Sequence, residues 1–381
     1  MKNVLFIAKV LKRHICVFHL PYLKWSHEQG YKVYVVAKND YLENEENQLQ
    51  YCDEFINVDF DRKILSKGNY KAYKQIQKIL SDTHFDIIHC HTPAAGAITR
   101  LAARKTRKQG TKVIYTAHGF HFYKGAPLKQ WMYYPIEKWL ARFTDTLITI
   151  NKEDYTLANT KFKTHVEFVN GVGVDQSRFV FNENTRIQKR NELGINDDTV
   201  MILSIGEIIK RKNHKVIIDA MAGIENPHVR FYIAGDGEDR QKLERYVEKH
   251  NLQTKVVFLG HRFDIPELLN ATDIFAFPSI HEGLPIALIE AMFSQKPLIC
   301  SNIRGNNDLV IDGENGIMVT YDNVEGYLHG IEVLINNPEL AINMGKMNYR
   351  IAQNYDTQKV LQEMIKVYNK TLQGDDFHET N

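Results

Sequence analysis

Two glutamates, Glu282 and Glu290, stand eight residues apart around a Gly-Leu-Pro sequence and the start of an apolar helical stretch. Pro285 suits the first helical position, where a missing N–H group is not needed. This places Glu282 in the loop that faces the helix N-terminus and Glu290 about a turn and a half inside the helix. An ionised glutamate among apolar residues is costly to bury unless hydrogen bonds satisfy it. Ribose or sugar hydroxyls would supply them; the alternative is a half-exposed glutamate on an amphipathic helix.

This spacing resembles the E-x7-E motif of the retaining glycosyltransferases of family 4, which bind a nucleotide-sugar on a GT-B fold. The resemblance covers nearly the whole chain and is most specific in its C-terminal half. It implies that Glu290 accepts hydrogen bonds from ribose hydroxyls and that Glu282, also a candidate catalytic residue, orients the transferred sugar. It further implies that Gly283 and Leu284 belong to the donor site.

A glycine and several cations lie between Gly206 and Lys212, after the first strand of the predicted second domain. Such a loop ahead of a helix suits the concentrated charge of a diphosphate. In the resembled family a Gly-Arg pair and a later lysine contact the donor phosphates. Gly206 and Lys212 match this pattern, but Glu207 replaces the arginine, and Arg211 or Lys210 could supply the lost contact. Lys212 would offset charge on the leaving diphosphate. The alternative is a solvent-exposed basic helix start.

Histidines end two strands of the predicted N-terminal sheet. His118 follows one of them, at the carboxyl end where parallel sheets bind ligands, and the resemblance implies a catalytic histidine that orients the reacting sugar from the opposite domain. A packed or capping histidine is the alternative, and His121 is a weaker candidate. His89 and His91 end another strand and could share one face, but no third metal ligand of suitable spacing accompanies them. We therefore predict no metal site and no cofactor, the nucleotide-sugar being a substrate.

Two further segments of the predicted second domain match the family. Gly235 and Gly237 allow close backbone approach to the nucleotide. The base is expected in the loop that contains Arg262, which could stack on uracil or a purine.

The loop after the first strand is the candidate acceptor site. It lacks the Gly-Gly pair that many family members carry. It contains Lys12, Arg13 and His14 instead, which are chemically suited to a phosphate. This basic loop would suit a lipid-diphosphate acceptor.

Short apolar runs alternate with helical patterns along the chain, which predicts βα units and parallel sheets. The predicted strands of the first series are Val4–Ala8, Val33–Ala37, Phe55–Val58, Ile87–His89, Val113–Thr116, Thr146–Ile150 and Val166–Val169. Those of the second series are Met201–Ile205, Arg230–Ala234, Val256–Leu259, Ile274–Pro278, Pro297–Cys300 and Ile317–Val319. The predicted fold is α/β with two Rossmann-like domains, and the resemblance implies the GT-B class, with parallel sheets facing across a cleft.

The expected boundaries follow from this division. Residues 1–170 form the N-terminal, acceptor-side domain, to which a C-terminal helix at about 356–372 crosses back. Residues 171–355 form the nucleotide-sugar-binding domain. A segment with two glycines at 170–175 suits a hinge about which the domains close to exclude water.

The net charge of +2 conceals an asymmetry. Residues 1–170 contain 26 Lys and Arg against 16 Asp and Glu, a net of +10, whereas residues 171–381 contain 22 against 30, a net of −8. A basic half suits an anionic partner, and the aromatic and basic mixture between Tyr123 and Trp139 favours a membrane surface. A solvated basic face is the alternative. Nucleic acid is not predicted as a partner, because the basic residues are dispersed and no recognised binding motif accompanies them.

The remaining composition indicates the compartment. Four scattered cysteines without metal-site or disulfide spacing fit a reducing cytosol. No apolar run approaches the roughly 18 residues of a membrane span, and the first residues form a strand pattern and not a signal peptide. We predict a cytoplasmic protein that is peripheral on the inner face of the cell membrane.

These features predict a retaining glycosyltransferase. It would move a hexose or N-acetylhexosamine from a nucleotide-sugar, in the first instance a UDP-sugar, to a lipid-linked saccharide in capsular or exopolysaccharide biosynthesis. The alternatives are a GT-B epimerase or phosphorylase that uses the same donor type, and a non-catalytic, transferase-like partner subunit.

Overall fold

The protein is described by a computed structural model over residues 1–42, 44–61 and 64–373. It divides into a first unit, which is Met1–Gly173 together with the chain from Thr357 onward, and a second unit, Val174–Asp356. Each unit has its own parallel sheet with an apolar core on both faces. The predicted α/β fold with two Rossmann-like domains is confirmed. No helix in these residue ranges is both long enough and apolar enough to span a membrane.

Seven parallel strands form the sheet of the first unit, in the order β3-β2-β1-β4-β5-β6-β7. They are β1 (Asn3–Val10), β2 (Lys32–Lys38), β3 (Glu54–Asn57), β4 (Ile87–His91), β5 (Lys112–Ala117), β6 (Thr146–Thr149) and β7 (His165–Phe168). Leu5 packs on one face of the sheet and Phe6 on the other. Because both faces are covered, such strands read as continuous apolar runs.

The helices of the first unit begin with a π-helix, Leu11–Cys16, directly after β1. The others are α1 (Leu20–Glu28), α2 (Lys67–Asp82), α3 (Pro93–Ala102), α4 (Arg104–Arg107), α5 (Leu128–Trp131), α6 (Tyr133–Leu140), a 3-10 turn (Ala141–Phe143) and α7 (Lys152–Lys161). Ser66 before α2 and Asn151 before α7 each accept a hydrogen bond from the backbone three residues on. Such side chains fix where a helix starts.

The second unit has a six-stranded sheet in the order β10-β9-β8-β11-β12-β13. Its strands are β8 (Val200–Ile205), β9 (Val229–Ala234), β10 (Val256–Gly260), β11 (Ile274–Phe277), β12 (Leu298–Ser301) and β13 (Gly316–Val319). Its helices are α8 (Glu183–Glu192), α9 (His214–Gly223), α10 (Arg240–Lys249), α11 (Ile265–Ala271), α12 (Ile286–Phe293), α13 (Asn306–Leu309), α14 (Val324–Asn336) and α15 (Pro338–Ala352), with 3-10 turns at Gln176–Phe179, Lys210–Lys212 and Gln353–Tyr355. Every strand predicted from the sequence is present.

The helix α16 (Thr357–Gln373) packs on the first unit. Val360 and Met364 enter the same apolar cluster as Phe6. Tyr368 Oη lies 2.7 Å from His89 Nδ1 on β4. The first unit is therefore built from two separate segments of the chain.

A buried ion pair joins α3 to α6. The guanidinium of Arg100, whose side chain is 1% exposed, donates to Glu137 Oε2 at 2.9 Å. Its Nε donates to the Gly96 carbonyl at 3.0 Å, and its Cζ lies 3.9 Å from the ring centroid of Tyr115. Because the pair is buried, the Glu137 carboxylate offsets the cost of removing the Arg100 guanidinium from water.

Replacing Glu137 by alanine should therefore destabilise the first unit. We expect its free energy of unfolding to fall by about 3–5 kcal/mol, because Arg100 is left buried without a counter-charge. Urea denaturation followed by tryptophan fluorescence measures this, since Trp25, Trp131 and Trp139 all belong to the first unit. Glu28→Ala, which removes an exposed helix pair with Lys24, is the matched control and should cost about 0.5 kcal/mol or less. Equal losses in both variants would contradict this role for Glu137.

Candidate functional site

Strand order reverses once in each sheet. In the second unit β8 lies between β9 and β11, so the chain leaves β8 to one side and the later strands lie on the other. A crevice opens at the carboxyl ends of the strands at such a point, and ligands of α/β proteins bind there. The loops that follow β8 and β11 contain the predicted donor residues Gly206, Arg211, Lys212 and Glu282.

Hydrogen bonds hold these two loops together. The Ile280 N–H donates to the Arg211 carbonyl at 2.8 Å. Asn213, with φ +55°, donates from its side chain to the carbonyls of Pro278 at 3.2 Å and Tyr321 at 2.6 Å. Asparagine tolerates this left-handed conformation better than most residues. The cations of the first loop are thereby fixed beside the carboxylate of the second.

Two cations share one oxygen of Glu282. Arg211 Nη1 lies 2.5 Å and Lys212 Nζ 2.9 Å from Oε1, and Lys212 Nζ also lies 4.7 Å from the ring centroid of Phe277. Burial would raise the pKa of Glu282, which is 12% exposed, but the charges of Lys212 and Arg211 outweigh burial and hold this pKa below its usual value. Two positive charges against one negative leave a surplus that suits an anion. Lys210, the other candidate substitute for the missing arginine, is exposed.

Glycines allow the loop backbones of the second unit to approach each other. A Cβ on Gly206 would lie 3.2 Å from Lys212 Cε, and a Cβ on Gly305, at φ +84°, would lie 2.5 Å from the Gly283 carbonyl oxygen. A Cβ on Gly235 would lie 1.9 Å from the Gly206 carbonyl oxygen. The loop that contains Gly206 thus lies directly against Gly235, and the approach of a nucleotide to Gly235 stays a prediction.

Glu290 lies in α12, which starts at Ile286, one residue later than predicted. Pro285 is the residue before the helix and not its first residue, because its φ of −82° and ψ of 114° are extended. The Glu290 carboxylate is partly buried and makes no hydrogen bond to another residue in the described ranges. Burial raises the pKa of Glu290 to about 7, opposed by the charge of Arg178. This glutamate is therefore about half protonated at neutral pH.

Acidic side chains hold Arg262 after β10. Its Nε lies 2.8 Å from Asp264 Oδ1, and its Nη2 lies 2.5 Å from Asp264 Oδ2 and 3.1 Å from Glu192 Oε1. Hydrogen bonds to Asp264 raise the pKa of the guanidinium, and the same bonds lower the pKa of Asp264. The pairs fix the plane of the guanidinium. Its stacking on a nucleotide base stays a prediction.

The predicted acceptor residues of the first unit do not form one group. Lys12 Nζ lies 2.5 Å from Glu45 Oε1, and Arg13 Nε lies 2.8 Å from Asp40 Oδ2. Both charges are thus partly compensated, whereas His14 belongs to a cluster of histidines. All three lie on the π-helix, a rare element that is frequent at functional sites. An acceptor role for them stays a prediction.

The histidine cluster lies at the carboxyl ends of the neighbouring strands β1, β4 and β5. It consists of His14 on the π-helix, His19 before α1, His91 at the end of β4 and His118 after β5. One ring nitrogen from each lies within 4.8 Å of one from every other. His118 Nε2 lies 3.4 Å from His91 Nδ1, and the rings of His19 and His91 stack with 3.8 Å between centroids.

Burial keeps these four rings neutral. It lowers the pKa of His14 to about 3 and that of His118 to about 4. It lowers the pKa values of His19 and His91 further below their ordinary range, and the neighbouring rings add to this shift. At pH 7 each imidazole therefore carries one N–H group and one free lone pair.

His89 is also buried, but it has a structural role. Its Nε2 lies 2.8 Å from Thr116 Oγ1 and its Nδ1 contacts Tyr368, so both ring nitrogens have partners. Directly after His91, Thr92 has φ +62° and ψ 145°, an uncommon conformation for a residue other than glycine. Such strain concentrates at functional sites.

Spacing along the chain offered no third metal ligand beside His89 and His91, whereas in the structure His14, His19 and His118 reach His91 from other loops. His19 was missed altogether. His19 lies five residues after His14, in the segment that follows β1. Its closeness to His91 and His118 could be inferred only from the strand order, which places β1 beside β4 and β4 beside β5.

Both halves of the chain match family models of glycosyltransferases. Residues 3–151 match the model described as glycosyl transferase 4-like, and residues 185–351 match the glycosyl transferases group 1. EpsD of Bacillus subtilis (strain 168), a glycosyltransferase by name, is 36% identical over 380 residues, which is 98% of each chain. The chain belongs to the GT-B glycosyltransferases. The predicted transferase activity is thereby confirmed.

Two further similarities are informative for this glycosyltransferase. An Escherichia coli enzyme named UDP-Gal:alpha-D-GlcNAc-diphosphoundecaprenol alpha-1,3-galactosyltransferase is 28% identical over 318 residues, 81% of each chain. Anabaena Alr3699/HepE, solved in complex with UDP-glucose, superposes with a TM-score of 0.80 over 97% of this chain and 100% of that one. At 19% identity the second similarity concerns the fold.

Replacing Glu290 by glutamine should stabilise the ligand-free protein at pH 8. The folded-state pKa of about 7 lies above the unfolded value of about 4.3. The contribution of protonated Glu290 to the free energy of unfolding is therefore fully present below pH 4 and is lost as the pH rises through 7, up to about 4 kcal/mol. We expect a higher thermal midpoint for Glu290→Gln at pH 8 and no difference at pH 4.

Glu282→Gln is the matched comparison and should have the opposite sign. It removes a paired carboxylate and leaves Lys212 and Arg211 repelling each other, so its thermal midpoint at pH 8 should fall. If Glu290→Gln lowers the midpoint at pH 8 as Glu282→Gln does, the buried carboxylate is satisfied and our reading of it is incorrect.

Proposed function

We propose that this glycosyltransferase moves a hexose or N-acetylhexosamine from a UDP-sugar to a lipid-linked saccharide, with retention of the anomeric configuration, in capsular or exopolysaccharide biosynthesis. The observation that carries the proposal is the Glu282 oxygen shared by Lys212 and Arg211 at the carboxyl ends of β8 and β11. Surplus positive charge on a loop ahead of a helix suits a diphosphate. The structures of HepE with UDP and with UDP-glucose support this donor class.

The proposed donor roles of the two glutamates are those that the family resemblance implies, and the charges of the loop are compatible with them. Glu290 accepts hydrogen bonds from the ribose hydroxyls, and Glu282 orients the sugar. Lys212 offsets the charge that develops on the leaving diphosphate, and Arg211 replaces the arginine missing at Glu207. These two cations supply the positive charge at the diphosphate, so no metal is proposed at the donor site. The acceptor oxygen bonds to the anomeric carbon as the bond to the diphosphate breaks, and UDP and the hydroxyl proton are released.

His118 is proposed to act on the reacting sugar in turnover, the role that the family resemblance implies. Its ring is neutral at pH 7, because burial lowers its pKa to about 4. A neutral imidazole can donate one hydrogen bond and accept another. It therefore suits a hydroxyl better than it suits a phosphate.

An apolar groove in the first unit supports a lipid-linked acceptor. Its volume is about 880 Å³, and α3 and α6 line much of it. Ile136 and Trp139 of α6 contribute to its lining and are 41% and 45% exposed. Large exposed apolar side chains around a groove mark a ligand or membrane contact. The E. coli relative, named for a diphosphoundecaprenol-linked substrate, supports the same acceptor class here.

The surroundings of the groove support a peripheral location on the inner face of the cell membrane. Leu128 is exposed on α5, and Met132 is exposed between α5 and α6. Lys129 and Lys138 lie on the same helices. Apolar side chains inserted among headgroups and lysines near anionic lipid each strengthen binding to such a surface.

Glu290→Gln should weaken UDP binding, because an amide has one acceptor oxygen and no charge to offer the two ribose hydroxyls. We expect the Kd to rise about tenfold, measured by isothermal titration calorimetry at pH 8, where Glu290 is ionised. His118→Ala should leave the Kd for UDP nearly unchanged and lower kcat about 100-fold with a UDP-hexose and a lipid-diphosphate saccharide.

Glu332→Gln, exposed on α14, is the control and should change neither quantity. Wild-type Kd and kcat in both test variants would refute these roles. Incubating the wild-type enzyme with the donor alone separates the remaining alternative: an isomerised nucleotide-sugar would identify an epimerase.

Replacing Trp139 or Ile136 by serine should weaken binding to vesicles that contain anionic phospholipid. We expect each variant to need about tenfold more lipid for half-maximal cosedimentation, since one large apolar contact is lost. Ile342→Ser on α15 of the second unit, exposed to a similar degree, is the matched control. Wild-type cosedimentation of Trp139→Ser and Ile136→Ser, or an equal loss in Ile342→Ser, would argue against this membrane surface.

A further inference from the structure

Four imidazoles from three parts of the first unit converge at its strand-order reversal. His14 and His19 come from the segment after β1, His91 from β4 and His118 from the residue after β5. β1 and β4 are neighbours in the sheet although β2 and β3 separate them in sequence. This is the position at which parallel sheets bind ligands.

Several nitrogens of this cluster are buried without a partner. Both ring nitrogens of His19 and the Nε2 atoms of His91 and His14 have no hydrogen-bond partner among the described residues. The His19 and His91 side chains are 1% and 0% exposed. Leaving a buried polar group unsatisfied is unfavourable, so the unpaired ring nitrogens of His14 and His19 point to a ligand.

The separations suit one metal ion. Two nitrogens at 2.0–2.1 Å from a tetrahedral Zn²⁺ stand about 3.4 Å apart, and His91 Nδ1 lies 3.4 Å from His118 Nε2. That separation is long for a hydrogen bond between ring nitrogens. All of the ligand atoms lie within 4.8 Å of one another, so no pair needs to move closer by more than about 1.4 Å to reach the spacing of a tetrahedral site.

The chemistry of the four donor groups limits which metal ions could bind here. All four donors are imidazoles, and a neutral imidazole offers one lone pair to a metal ion. Hard cations such as Mg²⁺ and Ca²⁺ take oxygen ligands and are unsuited to this set. Zn²⁺ and the neighbouring divalent transition metals prefer imidazole. His89 is excluded because Thr116 and Tyr368 occupy its nitrogens.

We propose that His14, His19, His91 and His118 bind a divalent transition-metal ion of the Zn²⁺ type. The site goes beyond the proposed function, which places no metal at the donor diphosphate. It replaces the expectation from the sequence that the chain binds no metal, and it gives His118 a second assignment, as a ligand. Metal binding and sugar transfer are separate measurements, so either proposal can fail without the other.

The test uses the full chain, purified without a histidine tag and treated with a chelator. Co²⁺ titration should give one ion per chain and the intense visible absorption of a tetrahedral site. Zn²⁺ should displace Co²⁺ and raise the thermal midpoint. His19→Phe and His91→Phe, which keep a ring but remove the nitrogens, should weaken Co²⁺ binding about 100-fold or more. Without metal they should melt no lower than the wild type, since they remove unsatisfied atoms.

His329→Phe is the control, because His329 is exposed on α14 of the second unit, and it should bind Co²⁺ like the wild type. Loss of stoichiometric binding in both cluster variants, with binding retained in the control, supports the site. Absence of stoichiometric Co²⁺ and Zn²⁺ in the wild type, or binding that survives in the folded cluster variants, overturns it. Two variants are used so that misfolding of one does not decide the outcome.

Discussion

The reversal of strand order inside each parallel sheet is the constraint on which both candidate sites depend. Because β1 lies between β2 and β4, and β8 between β9 and β11, the loops that leave these strands separate and open a crevice at their carboxyl ends. The second unit fills that crevice with Lys212 and Glu282, which are 70 residues apart in sequence. The first unit fills it with four histidines. In both, distant segments meet because the sheet brings their strand ends together.

Burial shifts the pKa of the ionisable groups in these crevices toward the neutral form, and neighbouring charges determine whether a group stays ionised. Glu282 and Glu290 belong to one motif, yet Lys212 and Arg211 keep the first ionised while the second is close to half protonated. Environments that separate the pKa values of two carboxylates usually give them different tasks. Among the residues that the structure describes, no cation or carboxylate pairs with the four clustered histidines, so burial leaves their rings neutral. One unit thus offers charge to a ligand, and the other offers lone pairs.

Much of the fold could be predicted, because buried parallel strands consist of short apolar runs that are recognisable in the sequence. Pro285 was placed one residue too far into its helix, since proline tolerates both positions. The pairing of Arg211 with Glu282 was not predicted from the spacing, and the cation that takes the place of the arginine missing at Glu207 stays a prediction. The ion pair of Arg262 with Asp264 and the place of His19 were not predictable. They depend on loop conformation and strand order, neither of which has a local signature.

The return of α16 to the first unit has a consequence for biosynthesis. The second unit, Val174–Asp356, is continuous in sequence, whereas the first needs residues from Thr357 onward to complete the apolar cluster around Phe6. As translation proceeds from the N-terminus, the second unit emerges whole while the first is still open on one side of its sheet. The unit that the ribosome starts first is therefore the last to close.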